Sequence, residues 1–268
     1  MSEQDTQASL EGQARERQII SARIVHEAVR KEGEEELARP ASALAWSGFA
    51  AGLAMGFSLI GEGLLQARLV DEPWRPLVSK LGYALGFIIV TLGRQQLYTE
   101  NTLTAVIPAL EQRRLAAWAG VLRLWGIVLA ANLVGALAVA AFAETDAFRP
   151  EFRDAFAAIG EDAMMGGAWT HFLRAIPAGW LIALIVWLGP AVPSSRLWIT
   201  LLLAYVVGIG GFAHIIAGAV ETIYLVLIGQ LAVGRLVLDF LLPVLLGNTA
   251  GGVLIVAAVN HAQTKSKV

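Results

Sequence analysis

His214 is set among apolar residues, between Gly208, Gly210 and Gly211 on one side and Ile215, Ile216 and Ala217 on the other. A charged side chain at the centre of a bilayer costs roughly 2.5–3.5 kcal/mol on insertion scales, so such a histidine is neutral, paired or facing water. Two chemistries fit it: donating a hydrogen bond or a proton to a solute in transit, or, as a neutral ring, holding a backbone carbonyl freed by the glycines. A second polar group, Arg94, Gln95, Gln96, Thr99, Glu100 and Asn101, interrupts another apolar block. Arg94 and Glu100 are expected to form an internal ion pair that stabilises this segment, and the alternative, a guanidinium facing a cavity, would attract anions. Glu62 and Glu221 are the other acids in apolar surroundings, Glu221 two helical turns from His214. No nucleophile, base and orienting group occur together, so neither enzyme activity nor a catalytic residue is expected. The chain has no cysteine, and its histidines at 26, 171, 214 and 261 are too scattered for a spaced ligand motif, so neither a metal site nor a cofactor is expected.

The elements that position these residues follow from composition. Of 268 residues 56% are hydrophobic and 16% charged, and the mean hydropathy is +0.62. A soluble fold of this size has too little interior for so much apolar surface, and lipid is the expected partner. Net charge is only -2, without a basic stripe, which excludes nucleic acid. Residues 1–40 are polar and charged, with Ile19, Ile20, Ile24, Val25 and Ala28 tracing one stripe; they read as a cytoplasmic amphipathic helix at the membrane surface, closed by Pro40. Six apolar spans fill residues 41–262: Ala41 to Leu65, Leu81 to Leu110, Leu124 to Phe142, Trp169 to Leu188, Leu197 to Leu231 and Leu236 to Ala258, before a short tail, 263–268. The second and fifth are too long for one crossing of roughly 30 Å, and each carries its polar or glycine-rich residues at mid-length, so both are expected to be interrupted.

The halves of the chain echo each other. Asn132-Leu133-Val134-Gly135-Ala136 in span three parallels Asn248-Thr249-Ala250-Gly251-Gly252 in span six. Three spans per half imply opposite insertion, a 3+3 inverted repeat, whose paired broken helices mark a solute path at the midplane. Irregular backbone is tolerated at that depth only where it is buried or lines a wet cavity, and half-helix N-termini carry positive partial charge suited to a small anion. Asn132 and Asn248 are expected to bond backbone across helices. Eleven Lys and Arg residues flank the spans on the side of the termini against five on the other, which places both termini in the cytoplasm.

The stretches Gly86 to Val90 and Leu97 to Asn101, the Asn132 segment, Phe172-Leu173-Arg174-Ala175-Ile176, Gly211-Phe212-Ala213-His214 and Gly247 to Gly252, in this order, resemble the formate/nitrite transporter family over about residues 40–262. The resemblance implies an all-α polytopic protein of the bacterial inner membrane, with an aquaporin-like six-helix protomer, a pore in each protomer and a homopentameric assembly. It implies that Thr99 lies on a gating loop in span two and that span five presents His214 to the pore. By position in the family pattern, Phe87, Leu97, Tyr98 and Val207 form apolar constrictions that gate by dewetting. The substrate so implied is a small monovalent anion or its conjugate weak acid, formate or nitrite. Where many members read Glu-His-Ser-Ile-Ala-Asn this chain reads Ala213-His214-Ile215-Ile216-Ala217-Gly218, and the lysine that members carry before span four has no counterpart among Met164, Met165, Gly166 and Gly167. The resemblance is therefore to a divergent subgroup. Two other readings stay open: a non-transporting membrane scaffold or sensor whose N-terminal helix recruits a partner, and a pore retuned for neutral or cationic solutes through Glu62, Glu100 and Glu221.

Overall fold

The computed structural model describes residues 21–112 and 114–265, and every regular element among them is helical. In chain order the longer ones are α1 (Ala22–Ala38), α2 (Ala41–Arg68), α3 (Arg75–Leu92), α4 (Tyr98–Thr104), α5 (Val106–Gln112), α6 (Leu115–Ala143), α7 (Pro150–Ala163), α8 (Ala168–Leu188), α9 (Arg196–Ile209), α10 (Ile215–Leu227) and α11 (Val233–Gln263), with two short 3-10 turns, Gly189–Ala191 and Pro193–Ser195, between α8 and α9. Five of them, α2, α3, α6, α8 and α11, are long and apolar enough to cross a bilayer, while α9 and α10 are shorter apolar helices. Ile19, Ile20, Arg113 and Lys267 lie outside the described residues.

The two long blocks each stop at mid-length by the same local chemistry. After α3, Gly93 is followed by Arg94 in the left-handed region (φ 50°). The Gln95 N–H then donates to the Val90 carbonyl and the Arg94 N–H to the Thr91 carbonyl. After α9, Gly210 is followed by Gly211 (φ 60°), with Phe212 N–H to Val207 and Gly211 N–H to Gly208. Both are the Schellman closure, which returns the last carbonyls of a helix to the residues just beyond it. The chain then runs extended through Leu97 and His214, which open α4 and α10.

Close helix contacts depend on missing side chains. A Cβ at Gly52 of α2 would strike the main chain of Asn132 on α6, and one at Gly135 would strike Phe49 on α2. In the second half Gly179 of α8 meets Asn248 of α11, and Gly251 meets Ile176. The same pair of backbone approaches thus occurs twice, α2 with α6 and α8 with α11, as small residues allow where lipid supplies no hydrophobic driving force between helices.

Several expectations shift. α6 begins at Leu115, not near Leu124, because Leu115 to Val121 carry neither charge nor proline and extend the apolar run. The polar segment between spans three and four holds α7, whose Phe156 and Ile159 are buried against Val220 and Tyr224 of α10 and Leu59 of α2. α1 buries Val25, His26, Val29 and Gly33, whereas Ile24 of the expected stripe is 59% exposed. It packs on α4 and α5, and ends where Arg39 is held extended by the following proline. On its solvent face Arg30 donates to Glu27 and Glu34, and the bond to Arg30 holds the Glu27 carboxyl down to about 2. α11 is wound as a π-helix over Leu236–Leu241 and Gly251–Ala258.

Gly179→Val should lower the thermal unfolding midpoint in detergent, with an overpacking cost of about 1–3 kcal/mol or more. Gly126→Ala, on an exposed face of α6 with open space around it, should leave the midpoint unchanged or raise it, a gain of up to about 1 kcal/mol. Equal effects of the two would disprove the close-approach account.

Candidate functional site

Two buried asparagines fix the helix breaks with identical bonding. Asn132 Oδ1 accepts from the Tyr98 N–H (3.0 Å), while its Nδ2 donates to the Gln96 carbonyl (2.9 Å) and the Gly48 carbonyl (2.7 Å). Asn248 Oδ1 accepts from the Ile215 N–H (2.8 Å), and its Nδ2 donates to the Ala213 carbonyl (2.9 Å) and the Ala175 carbonyl (2.7 Å). Each amide therefore satisfies an N–H at the start of a half-helix, a carbonyl two residues earlier and a carbonyl on the neighbouring long helix. The residue enclosed by this clamp is Leu97 in one break and His214 in the other.

His214 is 1% exposed. Its Nδ1 accepts from the N–H groups of Ile216 and Ala217 (3.3 and 3.2 Å), so the side chain caps α10. A neutral imidazole that accepts at Nδ1 carries its proton on Nε2. Nε2 lies 2.8 Å from Thr99 Oγ1, and that N–H donates to the hydroxyl. The two breaks thus meet through one hydrogen bond between side chains. Phe87 packs edge-on against the imidazole, with ring centroids 4.8 Å apart.

One cavity borders His214, and another borders Leu97 and Glu100 on either side of Thr99 in the chain. On the α7 side a space of about 150 Å³ is bordered by Val207, Gly208, Gly210, Gly211 and His214, together with Lys80, Asp162, His171, Arg174 and Glu221. On the α1 side a larger space of about 400 Å³ is bordered by Arg94, Gln95, Gln96, Leu97, Glu100, Asn101 and Arg196. Thr99, Phe87, Leu97 and Val207 are all buried; Val207 borders the first cavity and Leu97 the second.

The remaining residues fall as follows. Arg94 does not pair with Glu100: its guanidinium, 76% exposed, reaches Glu32 of α1 at 3.7 Å, because the left-handed backbone at 94 turns the side chain outward. Glu100 instead accepts from the Thr91 hydroxyl (3.0 Å). Asn101 donates to Gln96 and accepts from Thr104. Tyr98, expected at a constriction, bonds Thr249 through its hydroxyl (2.9 Å) and sets its ring against Trp125, since the amide clamp turns residue 98 toward α6 and α11. Two groups carried no sequence signal. Lys80 of α3 forms an ion pair with buried Glu62 of α2 beside the α7-side cavity. Buried His171 uses Nδ1 on the Asp239 carbonyl, while Nε2 has no hydrogen-bond partner among the described residues. Such pairing is visible only once α2 is packed on α3 and α8 on α11.

The sequence matches the formate/nitrite transporter family over residues 23–262. The chain belongs to that family. It is 43% identical to the inner membrane protein YfdC of Escherichia coli (strain K12) over 246 residues, 91% of this chain and 79% of that one. Its fold is similar to a pentameric formate channel solved with formate bound (TM-score 0.71, 19% identity, 88% of this chain and 99% of that chain). It is also similar to an ion channel of the same family (TM-score 0.76, 17% identity, 91% and 98%). The formate/nitrite transporter family is one of transporters and not of enzymes, as the lack of a catalytic constellation led us to expect. The lysine at the α7-side cavity, Lys80, comes from α3.

Asn132→Ala and Asn248→Ala each orphan buried backbone groups, at about 1–3 kcal/mol apiece, so both should lower thermal stability sharply and to a similar degree. Lys80→Met leaves a buried carboxylate unpaired, a loss of about 3–5 kcal/mol. Adding Glu62→Gln should restore much of that loss, and a double variant as unstable as Lys80→Met alone would show that the ion pair is not the cause.

Proposed function

We propose that the protein is a channel for a small monovalent anion or its conjugate weak acid, formate or nitrite in type, with one pore through each protomer of a homopentamer. In this reading the chain crosses a bacterial inner membrane six times as a 3+3 inverted repeat. The second crossing is α3 with α4 and α5, the fifth is α9 with α10, and both termini, with α1, are cytoplasmic. The α1-side cavity is then the inner vestibule and the α7-side cavity the outer one. Family membership, the inner-membrane relative and the pentameric formate channel of the same fold support this reading.

The observation that carries it is the Thr99–His214 hydrogen bond between the two vestibules. With Nδ1 engaged by two backbone N–H groups, His214 has one proton to offer, on Nε2. A solute that parts the pair takes a donor from the imidazole and another from the Thr99 hydroxyl, beside the N-terminus of α10, a set suited to a carboxylate or nitrite oxygen. Phe87, Leu97 and Val207 around the pair exclude the hydration shell, so that these donors replace it.

A second reading, a pore for a neutral or cationic solute, is favoured by the charges at the outer vestibule, where Asp162 and Glu221 stand against Lys80 and Arg174 and leave no excess of positive charge. Flux into liposomes of formate, nitrite, hydrosulfide, lactate, a neutral solute and a small cation separates the readings. Formate or nitrite should move, Thr99→Val and His214→Ala should each slow it about tenfold, the equivalent of one charge-assisted hydrogen bond, and Thr99→Ser should remain close to wild type. Transport of the cation alone would select the second reading, and no transport of any solute would leave a membrane scaffold.

A further inference from the structure

We propose that His26, Glu111 and His261 form a binding site for a divalent transition metal, zinc above all, which clasps the N-terminal helix to the C-terminal end of α11. The three residues come from α1, α5 and α11, far apart in sequence, and converge so that one ligand atom from each lies within 4.8 Å of the others. His26 Nε2 and His261 Nδ1 are 3.0 Å apart, with the rings tilted by 38° and their centroids separated by 5.2 Å. Two imidazole nitrogens bound to one tetrahedral zinc, each at about 2.0 Å, lie about 3.3 Å apart. An opening of a few tenths of an ångström therefore exchanges the shared proton for a metal ion. The carboxylate of Glu111 completes a two-histidine, one-carboxylate set, which leaves one position of a tetrahedral ion to water.

The surroundings suit such an ion. His26 is buried and its ring is braced edge-on by Trp187, with centroids 6.3 Å apart, so its orientation is fixed before the metal arrives. His261 borders a cavity with Arg114, Leu115 and Trp118 that gives the ion a path from water. The competing cation is Arg30, whose Nε lies 3.7 Å from Glu111. Its guanidinium is already held by Glu27 and Glu34, so it keeps two partners on α1 when Glu111 turns to a metal. Oxygen-seeking magnesium and calcium are poorly matched to two imidazoles, and the set selects zinc or its first-row neighbours.

The test uses the full-length protein in detergent, stripped with chelator, dialysed against zinc chloride and analysed for metal by mass spectrometry. Wild type should retain about one zinc per chain. The His26→Ala/His261→Ala double variant should lose it, and Glu111→Gln, which keeps the side-chain shape, should weaken it by about tenfold. Cobalt(II) loading should give the visible absorption of a four-coordinate ion in wild type only. An imidazole pair that serves only to join the two helices would take up no zinc, and a chain without stoichiometric zinc, or with zinc unchanged in both variants, overturns the proposal. Should the double variant fail to fold, Glu111→Gln and the cobalt spectrum decide the matter.

Discussion

Backbone N–H and C=O groups freed from a helix inside hydrocarbon have no water to turn to, and each left alone costs several kcal/mol. In this chain two primary amides take that load. Asn132 and Asn248 each bind the N–H that opens a half-helix, a carbonyl within the break and a carbonyl on the adjacent long helix. Asparagine suits the position because one planar group offers two donors and an acceptor at fixed angles. The glycines beside them permit the approach, since Gly52 and Gly179 lie against the main chain of the asparagines. Remove the amides and the breaks lose their reason to stay in place, and with them the meeting of Thr99 and His214.

That meeting shows how a polar centre is kept in an apolar wall without a standing charge. His214 spends one nitrogen on capping α10 and presents the other to Thr99, so one side chain serves both fold and site. The backbone groups that the ring holds are the N–H groups of Ile216 and Ala217, not the carbonyl expected from the sequence, because Nδ1 points back into the first turn of α10 as an acceptor. Ion pairs lie at the cavities, Lys80 with Glu62 at one and Arg94 with Glu32 at the other.

Much of the scaffold was legible because it is written in local pattern. The apolar block lengths, the glycines at 208, 210 and 211, and the two asparagine motifs each report a property of their own segment. What was not legible depends on segments meeting. The expectation that Arg94 would turn to Glu100 assumed a neighbour in sequence, whereas Glu32 arrives from α1, and the left-handed φ at 94 decides the direction. The partners of Tyr98 also come from another segment, its main-chain N–H bonding Asn132 and its ring meeting Trp125, both on α6. Lys80 gave no sign because a lysine near the end of an apolar block reads as an interfacial residue until Glu62 is seen opposite. The histidines at 26 and 261 looked scattered for the same reason, since only packing of the chain ends makes them neighbours.

The two Schellman closures are alike in shape but not in composition. Glycine occupies the left-handed position in the second break at no steric cost, whereas the first places an arginine there, with a penalty of roughly 1–2 kcal/mol from its Cβ. Two loops of one geometry therefore store different amounts of internal energy. The loop that carries Arg94 has more to gain by rearranging than its counterpart at Gly211, so the two sides of the molecule are mechanically unequal despite their shared design.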